Sequence, residues 1–252
     1  MKKYLVLIML YMAQPCLAGV AFDAVGPSSS GTGTTSTSLS WSHTCTGSNL
    51  LLIVAVLVGD SPDTETVIVT YNSVSMTSAG KVHSNNQTAG FVEMFYLAGP
   101  ASGSHAAQIN TSGGLPYSVV GGSVSFTGVD QSTPVRNVTT NISSGTSISV
   151  NVSSAVGNMV VDAVANGSGV TSSTQTQRWL NNYTPSSAAG NGAQSTAAGA
   201  ASVTMGYNVT ADWGAIIALD VVAARSTGMQ VPMTLPSSRL SAANRVVVPL
   251  RL

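Results

Sequence analysis

The sequence predicts an all-β protein, an antiparallel β-sandwich of jelly-roll type. Three observations predict it. Short apolar runs alternate with Ser, Thr and Gly at the two-residue period of a strand with one wet face. Gly, Asn and Pro clusters interrupt those runs at short intervals, as the turns of a sandwich do. No stretch carries a helical apolar stripe.

Residues 1–18 read as a signal peptide. Lys2 and Lys3 are its positive start, Tyr4 to Met12 its apolar stretch, and Cys16-Leu17-Ala18 the small-residue cleavage site. The apolar run is about half of what crosses a bilayer, so no membrane span is expected once the signal is removed. The expected destination is export, to the periplasm, the cell surface or the medium.

The elements then follow in order. Phe22 to Val25 is a first short strand, and Ser28 to Ser38, with little to bury, an exposed mobile loop. Leu39 to His43 alternates apolar and polar. Asn49 to Asp60 (NLLLIVAVLVGD) is nearly all apolar. Its β-branched content and the flanking Gly47 and Gly59 favour a central strand covered on both faces over a buried helix. Val67 to Tyr71 starts another strand, with Asn72-Ser73 as a turn before Val74 to Met76. Phe91 to Leu97 stops at Gly99-Pro100, because proline cannot donate to a ladder. Ala106 to Asn110 comes next. In Tyr117 to Phe126 the side chains of Val120, Val124 and Phe126 share a face, and the strand ends in a turn carrying Gly128, Asp130 and Pro134.

Further on, Ser147 to Val152 alternates cleanly, while Asn158 to Ala165 and Gly214 to Val222 read as buried strands. Gln175 to Tyr183 reads as a more exposed strand and Ser186 to Gly199 as a long loop. Ala200 to Tyr207 leads into Trp213 and the last strand. No fixed-period repeat is evident. Residues 19–224 are thus expected to form the sandwich, and residues 225–252 a basic, Pro/Ser-containing extended tail.

Charge is sparse and uneven. Only 7% of residues are charged and the formal net charge is zero, so the basic footprint of a nucleic-acid binder is missing. All 9 acidic residues precede Ala224. Arg225, Arg239, Arg245 and Arg251 follow it with no acid among them. Loss of the signal leaves Cys45 alone, so the fold must stand without an internal disulfide.

The ordered set YNSVSMT (71–77), FYLAGPASGSHAAQINTSG (95–113), SFTGVDQSTPV (125–135), NMVVDAVA (158–165) and WGAIIALDV (213–221) resembles a β-sandwich module. That module recurs in uncharacterised secreted and surface proteins of bacteria and in phage-associated proteins. The resemblance implies a jelly-roll-like sandwich similar in outline to carbohydrate-binding modules. It implies no established activity and no catalytic residues.

No catalytic signature stands out. His43, His83 and His105 lie far apart in sequence, and no Gly-x-Ser-x-Gly elbow occurs. Asp162 and Asp220 sit inside apolar strands, where a carboxylate needs partners. Two candidate sites remain. Asp60, Asp63 and Glu65 on one loop would supply oxygen ligands to a structural calcium, or form a solvated acidic turn. Trp179 and Tyr183, beside Arg178, Asn181 and Asn182, would stack and hydrogen-bond a sugar, or pack as an ordinary half-buried strand.

The first expectation for function is a non-enzymatic exported β-sandwich that binds a surface polymer or glycan. The alternative is a structural or assembly protein of a virion or surface layer. There the sandwich packs as a homo-oligomer, and the tail docks onto a partner subunit, with Val246 to Val248 adding a strand.

Overall fold

The computed structural model describes residues 19–225 apart from 33–35, 62, 88, 115, 117 and 184–189. The expected signal peptide, and all of the expected tail except Arg225, lie outside the described residues.

Among the described residues there is no helix, and every strand pairing is antiparallel. The first half contains β1 (Ala21–Val25), β2 (Ser29–Thr32), β3 (Ser36–Cys45), β4 (Leu51–Gly59), β5 (Thr66–Tyr71), β6 (Val74–Ser75), β7 (Thr77–His83), β8 (Phe91–Ala98), β9 (Gly103–Ser112) and β10 (Ser118–Thr127). The second half contains β11 (Val135–Ser143), β12 (Ser147–Val152), β13 (Met159–Asn166), β14 (Val170–Ser173), β15 (Thr176–Tyr183), β16 (Gly190–Ala198), β17 (Val203–Val209) and β18 (Gly214–Val221).

These strands make four sheets. Sheet β1-β10-β4-β8-β7, with β2 also on β10, packs against β3-β9-β5-β6, and sheet β11-β18-β13-β16-β15 packs against β12-β17-β14. The two larger sheets face each other across a shared core drawn from both halves. The molecule is therefore a four-layer stack, with the larger sheets inside.

The chain runs one circuit twice. With β2 and β6 set aside, β1, β3, β4, β5, β7, β8, β9 and β10 occupy the same places in their sheets as β11 to β18 do in theirs. In each circuit the first strand pairs with the last, the second with the seventh and the third with the sixth, which is the nested pairing of a jelly roll. The contacts between the inner sheets are also reciprocal. β4 meets β13; β8 meets β13 and β18 as β16 meets β4 and β10; β7 meets β18 as β15 meets β10. That is the pattern of two similar bodies about a local two-fold axis.

Burial on both faces explains the long apolar runs. In β4, Leu51, Ile53, Ala55 and Leu57 enter the shared core, while Leu52, Val54, Val56 and Val58 enter the outer core of the first half. In β10 the Gly-Gly pair makes room on both faces: a side chain at Gly121 would strike Ile109 and Trp41, and one at Gly122 would strike the Trp179 ring. Asn72 and Ser73 both have positive φ, 49° and 63°, as a two-residue hairpin turn requires.

Two expected loops are strands. Within Ser28 to Ser38, Ser29–Thr32 pairs with β10 and β3 already begins at Ser36. Within Ser186 to Gly199, Gly190–Ala198 is β16, an inner strand paired on both sides. Its small residues are what its place demands. Leu57 of the facing sheet lies where a side chain on Gly192 would sit. Composition reads such a run as a loop because the bulk filling the layer comes from other strands.

Candidate functional site

The expected aromatic patch is folded inward. Edge strand β15 carries a bulge between Gln177 and Trp179, and Trp179 is only 6% exposed. Its indole N–H donates to Gln194 Oε1 at 2.8 Å. The stacking face expected for a sugar is thus occupied by the shared core, where the missing side chain of Gly122 leaves room for the ring. Arg178 lies with its guanidinium 3.6 Å from the centre of the Phe22 ring and its Nε donating to Thr196 Oγ1. Asn182 ties β15 to β14, accepting from Val170 N and donating to Val170 O. Asn181 donates to Ser28 Oγ. Tyr183 packs half-buried against the shared core. These residues are together in space, but they hold the edge strand in place.

The acidic loop is divided. Asp63 pairs with Lys81 at 2.6 Å, whereas Asp60 and Glu65 are 8% and 5% exposed. Burial, and next the hydrogen bond and charge of Asp60, push Glu65 up to about 7. The fold therefore joins two of the three expected ligands and sends the third to a lysine. Among the described residues no group of three or more His, Cys, Asp or Glu is arranged to hold a metal.

Two buried polar networks have partners that the sequence did not reveal. The first links β1, β3 and β10. Trp41 Nε1–H donates to Ser123 Oγ at 2.8 Å, and Ser123 Oγ lies 2.8 Å from His43 Nδ1. His43 Nε2 lies 2.9 Å from Ser125 Oγ, whose hydroxyl donates to Asp23 Oδ2. These directions leave one consistent tautomer: Nδ1 accepts from Ser123 and Nε2–H donates to Ser125. Asp23 also accepts from the backbone N–H and hydroxyl of Thr46. The chain of Ser, His and Asp has the residue types of a hydrolase, yet Ser123 and Ser125 are fully buried and His43 is 1% exposed, so neither hydroxyl meets solvent.

The second network lies inside the other jelly roll. Asp162 Oδ1 accepts from Tyr207 Oη at 2.7 Å, Ser195 Oγ at 2.5 Å and Ser195 N at 2.9 Å, and Oδ2 accepts from Gln175 Nε2 at 2.8 Å. Burial pushes the carboxyl up to about 7 against the pull of those donors. Burial also lifts the Tyr207 phenol well above its ordinary value, and the Asp162 charge adds to it. In sequence, a lone polar residue in an apolar strand was the one available signal.

An open cavity of about 350 Å³ on the described surface is lined by Asp130, Ser132, Thr133, Arg136, Val222 and Arg225. It forms where the turn between β10 and β11 crosses the end of β18. Asp220 beneath it accepts from Arg136 Nε at 2.8 Å, Ser154 Oγ at 2.5 Å and Asn158 Nδ2. No protein-family model and no curated protein matches the chain.

Proposed function

We propose that this chain is an exported, non-enzymatic β-sandwich that serves as a structural or assembly unit, packing against copies of itself through its two outer sheets. The observation that supports this is the distribution of charge. None of the strands of the outer sheets, β3, β5, β6 and β9 on one side and β12, β14 and β17 on the other, contains Asp, Glu, Lys or Arg. Their exposed faces carry side chains such as Ser38, Ser40, Ser42 and Thr44, and across the molecule Ser149, Asn151, Thr204 and Asn208. Such faces meet their own copies without like-charge repulsion and with little charge to desolvate. Exposed Ile68 and Val74 add apolar contact at one corner.

Magnitude decides the kind of assembly. Three strands about 4.8 Å apart and six residues long at about 3.3 Å each present roughly 300 Å² of flat sheet. A stable pair buries about 800 Å² per partner. One face alone makes a weak contact, so the two opposed faces work together in an array. The same hydroxyls and amides suit a surface polymer or glycan, and this is the second reading.

The test is concentration-dependent light scattering on the chain from Gly19, on a chain ending at Ala224, and on Ser40→Lys/Ser149→Lys. Association that both lysines abolish, with or without the tail, is the expected result. A monomer at the highest soluble concentration rejects assembly. Association lost only with residues 225–252 makes the tail the docking element and rejects the sheet contact.

A further inference from the structure

The cavity beside the β10–β11 turn is independent of the outer sheets and has walls set by backbone bonds. Asp130 N donates to Val222 O at 2.9 Å, Val222 N to Pro134 O at 3.0 Å, and Ala224 N to Gly128 O at 2.8 Å. The turn and the segment after β18 are thereby laced into one rigid rim.

Its polar groups are unevenly used. Asp130 Oδ1 takes three hydrogen bonds from its own turn, from Ser132 N at 2.8 Å, Ser132 Oγ at 2.6 Å and Thr133 N at 3.0 Å. Oδ2 takes none from the described residues. These bonds, the Ser132 hydroxyl first, hold the Asp130 carboxyl below its ordinary value, with the Arg225 charge nearby adding to the effect. Arg136 spends only its Nε on Asp220. Arg225 makes no hydrogen bond or ion pair among the described residues and is exposed. The lining therefore offers donors from two guanidinium groups and one unoccupied carboxylate oxygen.

That combination discriminates among ligands. A cationic amine is opposed by Arg225, unpaired among the described residues, the Arg136 charge being already offset by Asp220. A compact dianion such as sulfate meets the repulsion of Asp130. A monoanionic carboxylate that also carries hydroxyls satisfies both sets of groups: its charge faces the arginines and a hydroxyl donates to Asp130. At about 350 Å³ the cavity lies at the lower end of small-molecule sites, the size of one sugar residue and too small for an extended chain. We infer that this cavity binds a single hydroxylated carboxylate of the uronic-acid class, with the carboxylate between Arg136 and Arg225 and a hydroxyl on Asp130 Oδ2.

The experiment titrates the chain from Gly19 with D-glucuronate, methyl glucoside and sulfate at constant ionic strength, following amide resonances by NMR. Glucuronate is expected to shift Ser132, Thr133 and Val222 saturably, and methyl glucoside to leave them unmoved. Arg225→Gln, which breaks no hydrogen bond of the described fold, is expected to weaken glucuronate about tenfold, the value of one charge-assisted contact. No saturable response to glucuronate overturns the proposal. So does sulfate binding as tightly as glucuronate, which reduces the cavity to an unselective anion hole, or an affinity that Arg225→Gln leaves unchanged.

Discussion

Burial acts on two ionisable side chains with opposite sign. It pulls the His43 imidazole down from its usual 6.5 to about 4, outweighing the opposing charge of Asp23. It pushes Asp162 from its usual 3.8 up to about 7. Between pH 6.5 and 4 the unfolded chain binds a proton at His43 that the fold refuses, so this residue makes stability fall as pH falls through that window. Asp162 works the other way: its contribution is full below pH 3.8 and is lost as pH rises through about 7. Protonation of His43 would put a donor on Nδ1 against the Ser123 hydroxyl, whose oxygen already accepts from Trp41. The expected outcome is an imidazole that stays neutral by NMR down to pH 5. The urea midpoint of His43→Gln should also vary less between pH 4 and 6.5 than that of the unaltered chain. A His43 that titrates near 6.5 would refute the buried wire.

At the scale of elements, β16 is the instructive strand. Its residues are small because it lies inside the stack with Leu57 of the facing sheet resting on Gly192. A methyl group at Gly192 meets both that side chain and the carbonyl of Val164 in the neighbouring strand. Gly192→Ala is expected to cost about 1–3 kcal/mol in urea unfolding, the usual penalty for overpacking a filled layer. Gly145→Ala is the control: Gly145 lies in the exposed turn after β11, its nearest neighbours are 3.6 Å or more from an added Cβ, and the change should be close to neutral. Equal losses at the two positions would remove β16 from the interior. The same logic applies to Trp179, which needs Gly122 opposite it in order to be buried.

At the scale of the molecule, the two jelly rolls share one core. Ile53, Leu57 and Phe126 of the first half meet Val161, Ile217 and Leu219 of the second within it. Neither inner sheet can be exposed without uncovering the apolar face of the other, so the halves should unfold together. A single calorimetric transition, with van't Hoff and calorimetric enthalpies equal, is expected for the chain from Gly19. Two resolved transitions would mean that the halves are independent domains. The uncharged outer sheets belong to the same scale, since it is the stacking order that places strands without charge on both outsides.

Local pattern was enough for the fold class. Strands such as Asn49 to Asp60 or Gly214 to Val222 announce themselves, because burial on both faces favours apolar residues at nearly every position. The same rule hides β16, where small residues such as Gly192 are bulk-matched by residues far away in the chain, and β2 has no apolar residue to announce it. The doubled circuit was hidden too, since pairing order leaves no fixed sequence period when turns differ in length. The candidate sites fared as their chemistry dictates. Residue type marked Trp179, Asp60 and Glu65 as able to bind, but accessibility is a property of packing, and packing turned all three inward. Arg225 comes near Asp130 only because the segment after β18 is laced to the turn after β10, a contact between segments some ninety residues apart that no local pattern encodes.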